Sequence, residues 1–224
     1  MISAERFSRR SLTWAKLVPS LDQYIRWANT HLDNLALPLS AARSAERSAL
    51  VSEAAFQGFV EGHSRVKASD QQFAHALLSR LPGGRLGSSR LNAVERGDAQ
   101  AILQRLRNYV QSKPNQTVFR PRFSGCGIVD EAQGDFMTGQ ELVEVKSVAR
   151  SLRGTDLCQI LTYAALAHAA KDRDDFELLT ILNPRAGHKF SFDPSEFALD
   201  VGAPSWVDLV DRIVGEMSDT SPSL

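Results

Sequence analysis

The sequence predicts an α/β protein, an α-β-β-β-α-β core behind a helical N-terminal extension, and three observations carry that expectation. Apolar residues recur at helical spacing as far as Pro114. The pattern then changes to short segments rich in β-branched and aromatic residues. Between the last two of these lies one long apolar stretch that again has helical spacing.

Taken in order, Ser20-Leu21-Asp22-Gln23 has the form of a capping box, and Leu21, Tyr24, Ile25, Ala28, Leu32 and Leu35 give the following helix an apolar side that Pro38 ends. A second helix, roughly 40–64, aligns Ala49, Phe56, Phe59 and Val60. A third opens at Ser69 with Gln72 and is expected to bury Phe73, Leu77 and Leu81. Together they suggest a small helical layer over residues 1–85. Pro82, Gly83, Gly84, Gly87, Ser88 and Ser89 offer neither a core face nor stiffness, which marks a soft boundary. The second region, residues 90–217, opens with a helix carrying Ala99, Ile102, Leu103, Leu106 and Val110. Strands are expected over 117–123, 134–137, 141–148 and 176–182, with a helix over 155–170 before the last. A short strand near 190–192 and a helix over 205–217 would complete the cover, leaving 218–224 as a flexible tail.

At 224 residues the chain is long enough for one domain with additions or two small ones. Its 26 basic and 26 acidic side chains cancel, so any basic patch must be local and net charge does not decide for or against a nucleic-acid partner. Cys126 and Cys158 are the two cysteines, without CxxC spacing, and are expected as reduced thiols in a cytoplasmic protein. His31, His63, His75, His168 and His188 lack metal-ligand spacing. Glu5, Arg6, Arg9 and Arg10 precede any apolar run and no stretch reaches bilayer length, so no membrane partner is expected.

The chemistry concentrates in Glu141-Leu142-Val143-Glu144-Val145-Lys146. Alternation along a strand points Glu144 and Lys146 to one face and Val143 and Val145 to the core. Asp135, after Gly134, lies in the preceding hairpin strand, where antiparallel pairing brings its carboxylate beside Glu144. Two neighbouring carboxylates repel unless a cation lies between them, and a hard, oxygen-seeking ion such as Mg2+ or Mn2+ suits that gap. Such an ion activates water and polarises a phosphodiester, while Lys146 positions or deprotonates the nucleophile and offsets developing charge. On the following helix, Asp156, Gln159 and Tyr163 share a stripe. Arg150 and Arg153 in the connecting loop, and Arg185 after the last core strand, are candidates for phosphate contact.

Gly134-Asp135, Glu144-Val145-Lys146 and Gln159-Ile160-Leu161-Thr162-Tyr163 together resemble the PD-(D/E)XK nuclease superfamily, in particular its RecB-like branch. The resemblance spans roughly residues 98–185 and implies a restriction-endonuclease-like core. It makes Asp135, Glu144 and the carbonyl of Val145 metal ligands, Lys146 the catalytic lysine, and Gln159 and Tyr163 the QxxxY motif. Glycine stands where the motif's proline would be, a usual variant in that branch. A further acidic residue on an earlier helix assists the metal in some members, and Glu53 and Glu95 are alternative candidates for it, with nothing in the sequence to choose between them. The implied activity is Mg2+-dependent hydrolysis of DNA, in bacterial defence or restriction. A rival expectation from the same fold is a non-catalytic or partner-activated subunit of a nucleic-acid-binding complex.

Overall fold

The computed structural model describes residues 1–39, 44–81, 87–113, 116–171 and 176–219. In chain order these form helices α1 (Ala4–Ser8), α2 (Ser11–Leu17) and α3 (Leu21–Ala28), strand β1 (Asp33–Asn34), and helices α4 (Ala45–Val60), α5 (Ala68–Ser79) and α6 (Ala93–Gln111). Strands β2 (Thr117–Phe119), β3 (Arg122–Phe123), β4 (Ala132–Gln133), β5 (Phe136–Thr138) and β6 (Glu141–Val145) follow. Helix α7 (Gly154–Ala170), strands β7 (Leu178–Asn183) and β8 (His188–Phe192), and helices α8 (Pro194–Asp200) and α9 (Trp206–Ser218) complete the chain. Six strands make one mixed sheet in the order β1-β8-β7-β6-β5-β2, and β3 pairs with β4 apart from it. β6 and β7 run parallel, joined across the sheet by α7, and the other pairings in the large sheet are antiparallel. The expected α/β class and α-β-β-β-α-β order are therefore present, with the β3-β4 ribbon inserted.

Both faces of the sheet are covered. Met137, Leu142, Leu179 and Ile181 on one face pack with residues from α1, α2, α3, α7, α8 and α9. Phe136, Val143 and Leu182 on the other pack with residues from α4, α5 and α6. The helices of the first 85 residues thus do not form a layer of their own: α3 lies on one side of the sheet, α4 and α5 on the other. Each has an apolar side too small to close a core with its sequence neighbours, and the sheet offers more area.

Several local expectations change. The first helix ends at Ala28 rather than near Pro38, and residues 33–34 pair with β8. Ser20 precedes it without making a side-chain cap. Helix α5 begins at Ala68, where the Asp70 carboxylate accepts from the Lys67 amide at 2.7 Å, so the cap is set by Asp70 and not by Ser69 and Gln72. Phe73, Leu77 and Leu81 are exposed to 39 %, 39 % and 55 % rather than buried. The strand expected over 117–123 is broken at Arg120, whose φ of 50° is left-handed, before Pro121 turns the chain into the ribbon. Helices α1, α2 and α8 and strand β1 were not expected. Pro82, Gly83 and Gly84 of the expected linker and 220–224 of the expected tail lie outside the described residues.

Both cysteines are free thiols, Cys158 buried in α7. Among the described residues no helix is long and apolar enough to cross a membrane.

Candidate active site

The site begins with a hairpin. Gly139 and Gln140 connect β5 to β6, Thr138 facing Glu141 across the loop, and the φ of 60° at Gly139 suits the tight two-residue turn. This turn fixes the register, with Phe136 opposite Val143, so that Asp135 and Glu144 fall together one step further on. Val143 is fully buried, contributing about 2 kcal/mol. That apolar side of β6 offsets part of the cost of the charges it carries on the other.

Asp135 sits between the ribbon and β5. Its backbone carbonyl accepts from the Arg120 amide at 2.8 Å, and its carboxylate accepts from the Val145 amide at 2.6 Å. Gly134 before it has little room: a Cβ there would lie 3.1 Å from the Phe123 ring and 3.3 Å from Pro121. The Gly134 amide also donates to the Pro121 carbonyl at 2.9 Å, a bond that proline could not make.

From Glu144 a continuous chain of hydrogen bonds runs into α7. Lys146 Nζ donates to Glu144 Oε1 at 2.8 Å and to Gln159 Oε1 at 2.7 Å. Gln159 Nε2 donates to the Tyr163 hydroxyl at 2.7 Å, and the Tyr163 ring stacks on Phe123. Gln159 and Tyr163 are one helical turn apart, which is why the i, i+4 spacing in the sequence places both heads on the same side. The five side chains Asp135, Glu144, Lys146, Gln159 and Tyr163 are brought together as expected from their alternation and spacing.

Charge is strained here. Burial, then the neighbouring Glu144 charge, pushes the Asp135 carboxyl well above the ordinary range, with the Val145 amide and Lys146 pulling the other way. Burial also raises Glu144, opposed by Lys146, while Glu5 of α1 and Asp156 add to the rise. Burial works against the Lys146 ammonium, but the Glu144 carboxylate and its hydrogen bond, with Asp156 and Asp135 behind it, hold it above its usual value. Lys146 is therefore charged at neutral pH.

Of the two earlier-helix candidates, Glu53 is the one at the site. It projects from α4 into a cleft of about 410 Å³ shared with Asp135, Val145 and Lys146, its carboxyl raised by burial and partly restrained by Arg120. Glu95 instead caps α6, accepting from the Asn92 amide, and pairs with Arg47 through two hydrogen bonds.

The three expected phosphate-contacting arginines are not at the mouth of this cleft. Arg150 is held by both oxygens of buried Asp156, at 2.6 and 2.8 Å. Arg185 is 1 % exposed, its guanidinium 3.7 Å from Asp98, so its surface is not offered to a phosphate. Arg153 is exposed at the N-cap of α7. Sequence reasoning missed two charged residues close to the site. Arg120 became visible only through the break in the first core strand, and Glu5 through the packing of α1 on α7.

The donor set fits a divalent cation in kind: the buried Glu144 and half-buried Asp135 carboxylates, which repel each other, with a third acid across the cleft. Among the described residues no three His, Cys, Asp or Glu side chains converge as a ready cage, so an ion would rest on two side chains and other oxygens. Val145, expected as a ligand through its carbonyl, is engaged at the site through its amide. Comparison of the chain with protein-family models gives no match, and comparison with curated proteins gives none either.

Proposed function

We propose that the protein is a metal-dependent nuclease of the PD-(D/E)XK type with a restriction-endonuclease-like core, hydrolysing phosphodiester bonds at the cleft beside Asp135. The observation that carries this is the hydrogen-bonded run Glu144–Lys146–Gln159–Tyr163 next to the Asp135 carboxylate. The motif residues, read from the sequence as separate fragments, lie together, and Asp135, Val145 and Lys146 among them line the cleft.

In this reading Asp135 and Glu144 would hold Mg2+ or Mn2+, with the Val145 carbonyl the third ligand that the resemblance implies. The bound ion would supply Lewis-acid polarisation of the phosphate and a more acidic water. Lys146, which donates to Glu144 and Gln159, would offset charge developing on the phosphate and position or deprotonate the nucleophile. Gln159 fixes the ammonium against rotation, and Tyr163 fixes Gln159. Val145 aims Asp135 through its amide. DNA is favoured over RNA by the resemblance, which also suggests a role in bacterial defence.

A second reading is a partner-activated subunit. It is favoured by the closed Lys146–Glu144 ion pair, which neutralises one prospective ligand from within the site. Assay of the purified chain on plasmid, linear and single-stranded DNA with Mg2+ or Mn2+ separates the two. Cleavage that is lost in Lys146→Ala and Asp135→Ala supports the nuclease, and cleavage retained in both refutes the site.

A further inference from the structure

The cleft has an unusual mouth. Phe73, on α5, is expected from its helical spacing to be core, yet it is 39 % exposed, and Leu77 one turn on is equally exposed, with Leu81 exposed just past the end of the helix. The Arg120 guanidinium carbon lies 5.2 Å from the centre of the Phe73 ring and 6.0 Å from that of Phe56. Phe56 and Leu78 line the cleft itself, together with Glu53 and Asp135. One arginine thus connects an exposed aromatic face to the carboxylate site, and its position is fixed by a 2.6 Å hydrogen bond to Gln57.

We propose that this mouth receives the bases of a single-stranded nucleic acid, one base stacking on Phe73 beside Arg120 while the adjoining phosphate enters the cleft toward Asp135. The inference rests on reading the cleft as a phosphodiesterase site, and it names the substrate's strandedness. Three observations favour a single strand. Asp135, the strand carboxylate that lines the cleft, is half-buried, so the phosphate must come in between α4 and the segment after β6. A duplex, stiff over about 50 nm, resists such a bend, whereas a single strand makes it at little cost. The chain has no net charge, so long-range attraction to a densely charged duplex is weak. The exposed Phe73 ring beside a guanidinium recovers affinity through base stacking and cation–π contact, which every base can make.

The test uses the full chain with calcium in place of magnesium, fluorescently labelled oligothymidylate, and the same strand annealed to oligodeoxyadenylate. Anisotropy titration is expected to show the single strand binding on the order of tenfold more tightly than the duplex, with Phe73→Ala removing about that factor and Phe73→Trp retaining it. Thermal melts check that both variants fold, which the exposure of Phe73 favours. Equal affinity of Phe73→Ala and wild type for the single strand overturns the proposal and assigns the apolar row to a protein partner. Tighter binding of the duplex overturns it as well. A parallel incubation with Mn2+ keeps the two readings apart: tight, Phe73-dependent single-strand binding without cleavage overturns the nuclease reading alone, and cleavage of duplex without Phe73 dependence overturns the strand preference alone.

Discussion

Glu141 and Glu144 are buried carboxylates three residues apart on one strand, and they differ in how fully they are partnered. Glu141 faces the α4–α6 layer, where it accepts from the Tyr109 hydroxyl at 2.5 Å and from the Thr180 hydroxyl at 2.6 Å, with Lys113 at 2.6 Å. Both of its oxygens are satisfied by groups from α6, β7 and the turn after α6. Glu144 faces the α7 layer, takes one hydrogen bond from Lys146, and lies beside a second carboxylate that repels it. A closed network of the first kind fastens the sheet to a helix. An open one of the second kind stores unfavourable charge at a cleft, which is the electrostatic condition for binding a cation.

The largest effect expected from this contrast is on activity. Under the proposed function, Lys146→Ala and Asp135→Ala each lower the rate of DNA cleavage on the order of a thousandfold or more; the melting of Asp135→Ala stays close to wild type, whereas Lys146→Ala also loses about 3 kcal/mol because buried Glu144 loses its donor. Glu141→Ala behaves in the opposite way. It leaves Tyr109, Thr180 and Lys113 around a buried gap and costs about 3 kcal/mol of stability, measured by urea unfolding, with cleavage by the remaining folded protein unchanged. If Asp135→Ala and Glu141→Ala damaged folding equally, the division of labour between the two faces of the sheet would be wrong.

A third effect is smaller and has the other sign. Asp135→Asn keeps an oxygen to accept from the Val145 amide but removes one of the repelling charges. Without metal, this variant is expected to be more stable than wild type by about 1 kcal/mol, because the repulsion between the Asp135 and Glu144 carboxylates has been removed. Wild type should gain melting temperature on addition of Mn2+, since an ion that binds only the folded chain stabilises it by mass action, and Asp135→Asn should gain little. A melting temperature that Mn2+ leaves unchanged in both proteins would count against the carboxylate pair as a metal site.

The sequence made the inner part of the site readable because that part depends on local periodicity. Alternation on β6 placed Glu144 and Lys146 together, and the four-residue spacing on α7 placed Gln159 beside Tyr163. The same alternation put Glu141 on the core side with Val143, which a carboxylate tolerates only because Tyr109, Thr180 and Lys113 arrive from elsewhere in the chain. What stayed hidden was non-local. Choosing Glu53 over Glu95 required knowing that Arg47 reaches across to occupy Glu95. The exposed row on α5 was misread because helical spacing reveals that an apolar face exists, and not what lies against it. The break at Arg120 carries no glycine to announce it.

The same distinction between occupied and available charge ranks the loop arginines, where the smallest effects are expected. Both oxygens of Asp156 already hold Arg150, and Asp156 also accepts from the Arg153 amide at the start of α7. Arg150→Ala should therefore loosen that helix start and cost about 1 kcal/mol of stability, while leaving the salt dependence of DNA binding alone. Arg153 has an exposed side chain, and its replacement by alanine should weaken DNA binding only a few-fold, lower the slope of log affinity against log salt by about one, and leave stability unchanged. Salt titrations of both variants decide the matter: a reduced slope for Arg150→Ala, with none for Arg153→Ala, would show that the Asp156 ion pair opens when DNA binds.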